Sequence, residues 1–504
     1  MKRNFFANAL DNVISTISPR WGWKRAMFRQ GLDSFRYYEA ARQDRLNPVQ
    51  TIAGTAEQIQ GADRVRLRSL ARWLEDNSDI AEAVLGAIER NVVGTGIIPQ
   101  ARIKKGKDYD DVLNNKLEEH WKEFAANCDM AGLSNFYELQ RIALRREQVD
   151  GEAFFKINYL PNTEMPLKLQ GIEADQLADY LFRVPGSKNY LVSGVEVDEY
   201  YRPLAYWINK IAPDGMSNMD PERVPADQII HLFLRNRFTQ VRGISQLARV
   251  MTRMRETGEY MDAELVKRQI AACFAAFVKK QHPGQSVGRV STNKSGERIK
   301  TFVPGMIEYL DVGEDIEFAN PSGDATSVAD IIRIEQRMIG AGKGLSYETV
   351  SRDVSQANYS SARINKLEDQ KTYLGMQSFI IEHLCKKVWP KFVEMCVLTG
   401  RVKIQDFWSN PKKYLVCDWI APGFTWVDPL KDVQGSKQEL MSGMTSLSRI
   451  CAERGLDWRE VLEQAAREKN YAESLGLMLD IHYPVKNNVK APNSEEGKDE
   501  KNNV

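Results

Sequence analysis

Between Glu152 and Phe233 the apolar residues of this chain alternate, whereas on either side they recur at three and four. A strand turns successive side chains to opposite faces and a helix returns to one face every 3.6 residues, so the switch of period calls for an α+β fold. Within the alternating block, FFKINYL, KLQGIEA, YLVSGVEVDEY, PLAYWINK and IIHLFL are short runs of aromatic and β-branched residues divided by Pro, Gly, Asn and Asp. That pattern predicts a mainly antiparallel sheet, with the Tyr-Arg-Pro-Leu turn at 201–204 lying in a hairpin.

The flanking helices are delimited by their caps. Ser78 or Asp76 is placed to open a helix through SDIAEAVLGAIERNVV, and Gly94 and Gly96 end it. Further helices are expected at about 109–126 and 135–147. A long helical pattern resumes at Ile244, just after Gly243, and runs to about Phe277. The stretch 281–297 is poor in large apolar side chains, and TFVPGMIEYLDVGEDIEF then alternates around a Pro-Gly turn, which predicts a small β-rich insertion. A second helix covers 326–343, and a longer one runs from about Ser360 to Leu398. Between them, glycines at 340–344 read as breaks, and GLSYETVSRDVSQANYSSAR (344–363) reads as a mobile polar loop on rigid helices, the usual setting for function. Beyond Gly400, KYLVCDWI is strand-like and helices are expected from about 432 to 479. The first 60 residues form an arm with an excess of Arg and Lys and the aromatics Trp21, Trp23, Phe28, Phe35, Tyr37 and Tyr38. The Asn-, Lys- and Glu-rich stretch 482–504 reads as disordered.

Composition excludes several classes of function. A chain of 504 residues exceeds one ordinary core. Its 69 Lys and Arg against 68 Asp and Glu leave a net charge of +1, so any contact with DNA is local or non-adhesive. Six cysteines without a C-x-x-C pair read as reduced, buried thiols, and five histidines without metal spacing argue against a metal site. No apolar run approaches the ~20 residues of a membrane span, so a soluble chain assembled in a cytoplasm is expected.

The motifs that invite enzymology fail on detail. GAGKG at 340–344 lacks the first glycine of a phosphate loop, since Arg337 stands there, and Lys343 is followed by Gly344 rather than Ser or Thr. The carboxylate pairs Glu173 with Asp175 and Glu314 with Asp315 have no histidine or cysteine partner at motif spacing. Ser360 and Ser361 lack a nucleophile elbow and read as caps of the helix that follows, with Arg363 in its first turns. Arg249 and Arg253, four apart, share a helix face that suits either a lumen or a neighbouring subunit. No catalytic residue, metal or cofactor is expected.

The order of these motifs carries a resemblance. A glycine-rich break, a Ser-Tyr pair, an Asp and an Asn-Tyr-Ser-Ser-x-Arg run follow one another at 340–363, after NVVGTGIIPQ (91–100), DGEAFF (150–155), GIEADQL (171–177), VPADQIIHLF (224–233) and RGISQLARV (242–250). In this the chain resembles the lambda-type phage portal proteins from about Arg64 to Pro429. The resemblance implies a portal fold with an N-terminal arm (1–60), a mainly antiparallel β wing (61–240), a first stem helix (243–280), a clip (281–325) and a second stem helix (326–343). A tunnel loop (344–358), a long tunnel-to-wing helix (359–400), a wing return (401–429), a helical crown (430–481) and the tail (482–504) would follow. It implies a ring homo-oligomer, by resemblance a dodecamer, at one capsid vertex of the virion, with the terminase large subunit, a head-completion or adaptor protein, the major capsid or scaffold protein and double-stranded DNA as partners. DNA would be touched without sequence reading by Lys343, Arg352, Asp353, Ser355, Gln356 and Asn358. Ser360, Ser361 and Arg363 would serve the helix start or a subunit contact, Arg249 and Arg253 the stem, and Pro283, Arg289, Lys294 and Arg298 the clip's partners. A minor head or connector protein without a channel, or a packaging ATPase, are the rival readings.

Overall fold

The computed structural model describes residues 53–477, apart from 107, 162, 164, 180–188, 212–216, 274–276, 280–307, 311–324, 356, 425–428 and 455. The chain divides into two compact units, residues 1–59 and 60–504. The expectations for the arm up to residue 52, for the tail and for most of the 281–325 insertion lie outside the described residues.

Helices α1 (Ala56–Asn77) and α2 (Asp79–Val92) come first, and Ser78 is the cap of α2, its Oγ accepting from the Ala81 N–H. Strand β1 (Ile98–Ala101) and the small hairpin β2 (Lys104–Lys105) and β3 (Asp108–Tyr109) lead to α3 (Asp111–Ala126) and α4 (Phe136–Asp150). A reciprocal capping box opens α4: Asn135 Oδ1 accepts from the Glu138 N–H at 2.9 Å, and the Glu138 carboxylate accepts from the Asn135 N–H at 2.9 Å.

The alternating block folds into two antiparallel sheets rather than one. Its strands are β4 (Glu152–Tyr159), β5 (Leu167–Ile172), β6 (Tyr190–Val192), β7 (Val195–Val197), β8 (Pro203–Ile211), β9 (Ser217–Pro225) and β10 (Ile229–Phe233). They are ordered β10-β4-β5 and β6-β7-β8-β9. The expected hairpin is the one between β7 and β8, where the Asp198 carboxylate accepts from the N–H groups of Tyr200 and Arg202, each at 2.9 Å. Strand β9 was not legible in the sequence because its Asp220-Pro221-Glu222 run lacks strand character. It sits at a sheet edge, where a missing proline N–H breaks no central ladder. Phe154, Ile172, Val195, Val197, Tyr206, Val224 and Ile229 build an apolar core that draws on both sheets.

Next come α5 (Met251–Cys273), the parallel pair β11 (Phe277–Lys279) and β12 (Glu308–Leu310), α6 (Ala325–Lys343), α7 (Tyr347–Ser351) and α8 (Tyr359–Ile380). A wide π turn at Ile381–Cys385 joins α8 to α9 (Lys386–Leu398), which carries Pro390. Then α10 (Pro411–Tyr414) and β13 (Cys417–Ile420) precede α11 (Pro429–Met441), α12 (Leu447–Glu453) and α13 (Trp458–Ser474). Strand β13 pairs antiparallel with β1, Ile98 opposite Ile420, so the returning chain closes onto the segment that follows α2. Around that closure Trp121 packs against Phe136, Phe392, Trp389 and Trp419, with ring centroids 5.0–5.7 Å apart.

Four expectations are corrected. The first long helix starts at Met251, not Ile244, because residues 243–250 make turns that let Gly243 pass against Gly151. Glycines 340 and 342 lie inside α6 and only Gly344, at φ +69°, breaks it. The helix passes so close to Val250 that a Cβ on Gly342 would stand 2.5 Å from Val250 Cγ1. The interval 344–358 is not loop throughout, since residues 347–351 are helical. The long helix is not uniform: the wide turn at Ile381–Cys385 interrupts it one turn ahead of Pro390, which has no N–H to give to the ladder.

Candidate functional site

Two buried polar junctions stand around the helices that flank the polar segment, and the second of them anchors its upstream end. In the first, α4 ends and β4 begins at Asp150-Gly151-Glu152, opposite Arg242-Gly243. The backbones touch there: a Cβ on Gly243 would lie 2.1 Å from the Gly151 carbonyl oxygen, and one on Gly151 would lie 2.2 Å from the Ile244 carbonyl carbon. Only glycine fits either position. The fully buried Arg242 guanidinium donates to Glu152 at 2.6–3.0 Å and to Asp179 at 2.7 Å. Glu152 also accepts from the Gly243 N–H at 2.9 Å. His231 Nε2 lies 3.2 Å from Glu152, and its Nδ1 lies 3.2 Å from the Tyr206 hydroxyl. Burial would raise the Glu152 carboxyl, but the Arg242 charge and the bonds from His231 and Arg242 hold it far below the usual range. Burial pushes His231 down to about 4, so the ring is neutral at neutral pH. Arg68 and Arg72 of α1 extend the network to Asp150, Glu173 and Asp175, so the carboxylate pair Glu173 and Asp175 is engaged with arginines.

In the second junction, Lys343 at the end of α6 turns inward. Its Nζ donates to Gln148 Oε1 at 2.6 Å and to the Gln246 carbonyl at 3.3 Å. Gln148 Nε2 donates to the buried Glu147 at 2.7 Å. Burial lowers Lys343 to about 8 against the pull of Glu147, and burial raises Glu147 to about 7 against the pull of Lys343. The lysine expected at a DNA channel is thereby placed in the protein interior, tying α6 to α4 and to the 243–250 turns.

From this anchored end the chain passes Gly344 into α7. Ser346 caps it, and the buried Asp369 of α8 accepts from the Ser346 N–H (2.7 Å), the Ser346 Oγ (2.7 Å) and the Thr349 Oγ1 (2.5 Å). Arg352 ends α7 in the left-handed region, φ +56°, its N–H donating to the Glu348 carbonyl at 2.9 Å, and its side chain is exposed. Asp353 accepts from the Tyr347 hydroxyl at 3.1 Å and from the Ser355 N–H at 2.9 Å. Those Ser355 and Tyr347 bonds hold its carboxyl below the usual range.

Asn358, expected among the DNA contacts, is the cap of α8: its Oδ1 accepts from the Ser361 N–H at 2.8 Å. The helix therefore starts at Tyr359, and neither Ser360 nor Ser361 is its cap, although Ser361 Oγ donates to the Asn358 carbonyl at 3.0 Å. Arg363 lines a groove of about 880 Å³ between α8 and the C-terminal helices α11 and α12. Arg249 precedes α5 rather than lying on it, while Arg253, on α5, pairs with Glu335 of α6. Gln356, Pro283, Arg289, Lys294 and Arg298 lie outside the described residues.

Sequence reasoning missed three contributors. Arg337 lies over the Tyr347 ring, 5.4 Å from its centroid, and Arg333 one turn away on α6 adds to the field at Asp353; their four-residue spacing was a visible signal. Asp369, in the middle of a helix, carried none. Among the described residues no group of three or more His, Cys, Asp or Glu is arranged to hold a metal ion, and no helix is long and apolar enough to cross a membrane. Cys128, Cys385, Cys396 and Cys451 are buried free thiols.

The described residues thus form a mixed α and antiparallel-β architecture in which α5 and α6 pair and the capped polar segment lies between α6 and α8. The profile described as "Phage portal protein, lambda family" matches residues 42–377. The chain belongs to the lambda family of phage portal proteins, structural components of the virion. It is 26% identical over 459 residues to a probable portal protein of Halomonas phage phiHAP-1, covering 88% of each chain. It is 21% identical over 415 residues to portal protein B of Escherichia phage lambda, covering 74% of this chain and 76% of that one. A chain from the neck of a native GTA particle superposes with a TM-score of 0.38 and 13% identity, covering 78% of this chain and 93% of that one, too distant to argue from.

Proposed function

We propose that copies of this chain close into a ring, by family a dodecamer, at one capsid vertex, forming the channel through which double-stranded DNA is packaged and later ejected. The observation that carries this reading is the family match, which runs through the sheets, both paired helices and the polar segment as far as residue 377. The exposed apolar side chains support it. Ile331, Ile334 and Met338 form a stripe along α6, and Met261, Leu265 and Val266 stand out from α5. Apolar rows of this kind on two neighbouring helices mark an interaction surface. A ring of identical subunits needs two different complementary faces on each copy, which two such rows would supply. In this reading α5 and α6 are the stem, 344–358 faces the channel, and the terminase large subunit, a head-completion adaptor and the major capsid or scaffold protein dock on the ring's outer surfaces. Arg352, at the exposed end of α7, touches DNA phosphates without reading bases. Negative-stain imaging of the purified protein tests the proposal: rings with a central hole wide enough for a duplex are expected, and a uniform population of monomers or sheets would overturn it.

A further inference from the structure

Helix α7 has five residues, far short of the ~12–15 that a helix needs to persist by itself, so its place depends on what holds it. Its own Val350 and the preceding Leu345 are buried, and one side chain of α8 grips its first turn. Asp369, 4% exposed, takes the Ser346 N–H on Oδ1 and the Ser346 and Thr349 hydroxyls on Oδ2. Asn365, one turn earlier on α8, donates to Glu348 at 3.0 Å. At the far end of α7 stands Arg352, a non-glycine residue at φ +56°, a conformation kept only where the surrounding structure imposes it.

We propose that Asp369 is the positioning residue for Arg352: by clasping Ser346 and Thr349 to α8 it fixes where α7 ends, and therefore where the Arg352 guanidinium meets a DNA phosphate. The proposal rests on the reading of Arg352 as a DNA contact, and the experiment separates the two. Full-length assembled protein is titrated with a short duplex of arbitrary sequence between 50 and 200 mM salt. R352Q is expected to lower the slope of log affinity against log salt by about one for each phosphate that the ring's Arg352 side chains contact at once, each removing roughly a threefold change across that range. D369N, which removes the charge of the acceptor, and the double variant S346A/T349V, which removes two donors, are expected to lose the same amount with rings intact by light scattering. Adding R352Q to D369N should cost nothing further, as for residues acting through one another. Additive losses, or D369N with the parent's slope and affinity, overturn the clasp while leaving Arg352 as a contact. An R352Q protein that binds like the parent overturns the contact itself. Loss of rings in both clasp variants also overturns the proposal, because the cluster would then be holding the assembly rather than one side chain.

Discussion

At the scale of single residues, the molecule depends on charged groups that are buried in ion pairs and hydrogen bonds. Glu152 and Arg242 are both inaccessible, so removing the Glu152 charge takes from Arg242 its fully buried counterion and leaves the partly exposed Asp179 beside it. Glu152→Gln is expected to destabilise the chain by about 3–5 kcal/mol, read from the urea midpoint. His231 adds a pH dependence of known sign. Its folded value is depressed, so its contribution is present above the ordinary histidine value of about 6.5 and is lost as the pH falls through about 4. Glu152, also depressed, acts in the same direction below the ordinary carboxylate range. The buried Glu147, raised above the ordinary carboxylate value, works in the opposite sense over much of that window, so the His231 contribution is read as a difference: the urea midpoint of His231→Gln relative to the parent should rise as the pH falls from 6.5 to 4. Gly243→Ala would drive a methyl into the Gly151 carbonyl, and a loss of at least about 1–3 kcal/mol is expected in the same assay.

At the scale of elements, the polar interval proves to be two parts with different jobs. Residues 345–351 are a docked turn held by Asp369, whereas 352–357 bridge it to the Asn358 cap. Asn358→Ala should cost about 1 kcal/mol and show as faster amide exchange in the first turn of α8. Deleting two or three residues within 353–357 should leave ring assembly intact while reducing the DNA retained in particles; failure to assemble would mark the bridge as a subunit contact. The alternation of residues 152–233 and the cap at Ser78 were readable because period and capping are local properties, whereas the cap at Ser346 lies in the interval that reads as a loop. The inward turn of Lys343 was not readable: a lysine beside two glycines looks like a loop residue until Gln148 and Glu147, nearly two hundred positions away, are brought against it.

At the scale of the whole molecule, two segments distant in sequence are joined by the β1–β13 pairing and by the rings around Trp121. Exposed apolar side chains stand on several elements, and those of α6 form the stripe Ile331, Ile334 and Met338. Ile334 and Met338 are 54% and 51% exposed, so placing a charge there disturbs no core. Ile334→Asp with Met338→Asp should abolish ring formation in sedimentation while leaving the urea midpoint of the single chain within about 0.5 kcal/mol of the parent. The sequence alone determined the α+β class, the helix-insertion-helix order and the family, because each follows from periodicity, punctuation or motif order along the chain. Only the tertiary structure decided that the block of strands is split into two sheets, that Gly340 and Gly342 are helical, that Lys343 is interior and that Asp369 holds α7. Each of those depends on a partner remote in sequence, through a backbone approach that excludes a Cβ or a buried charge that must be met.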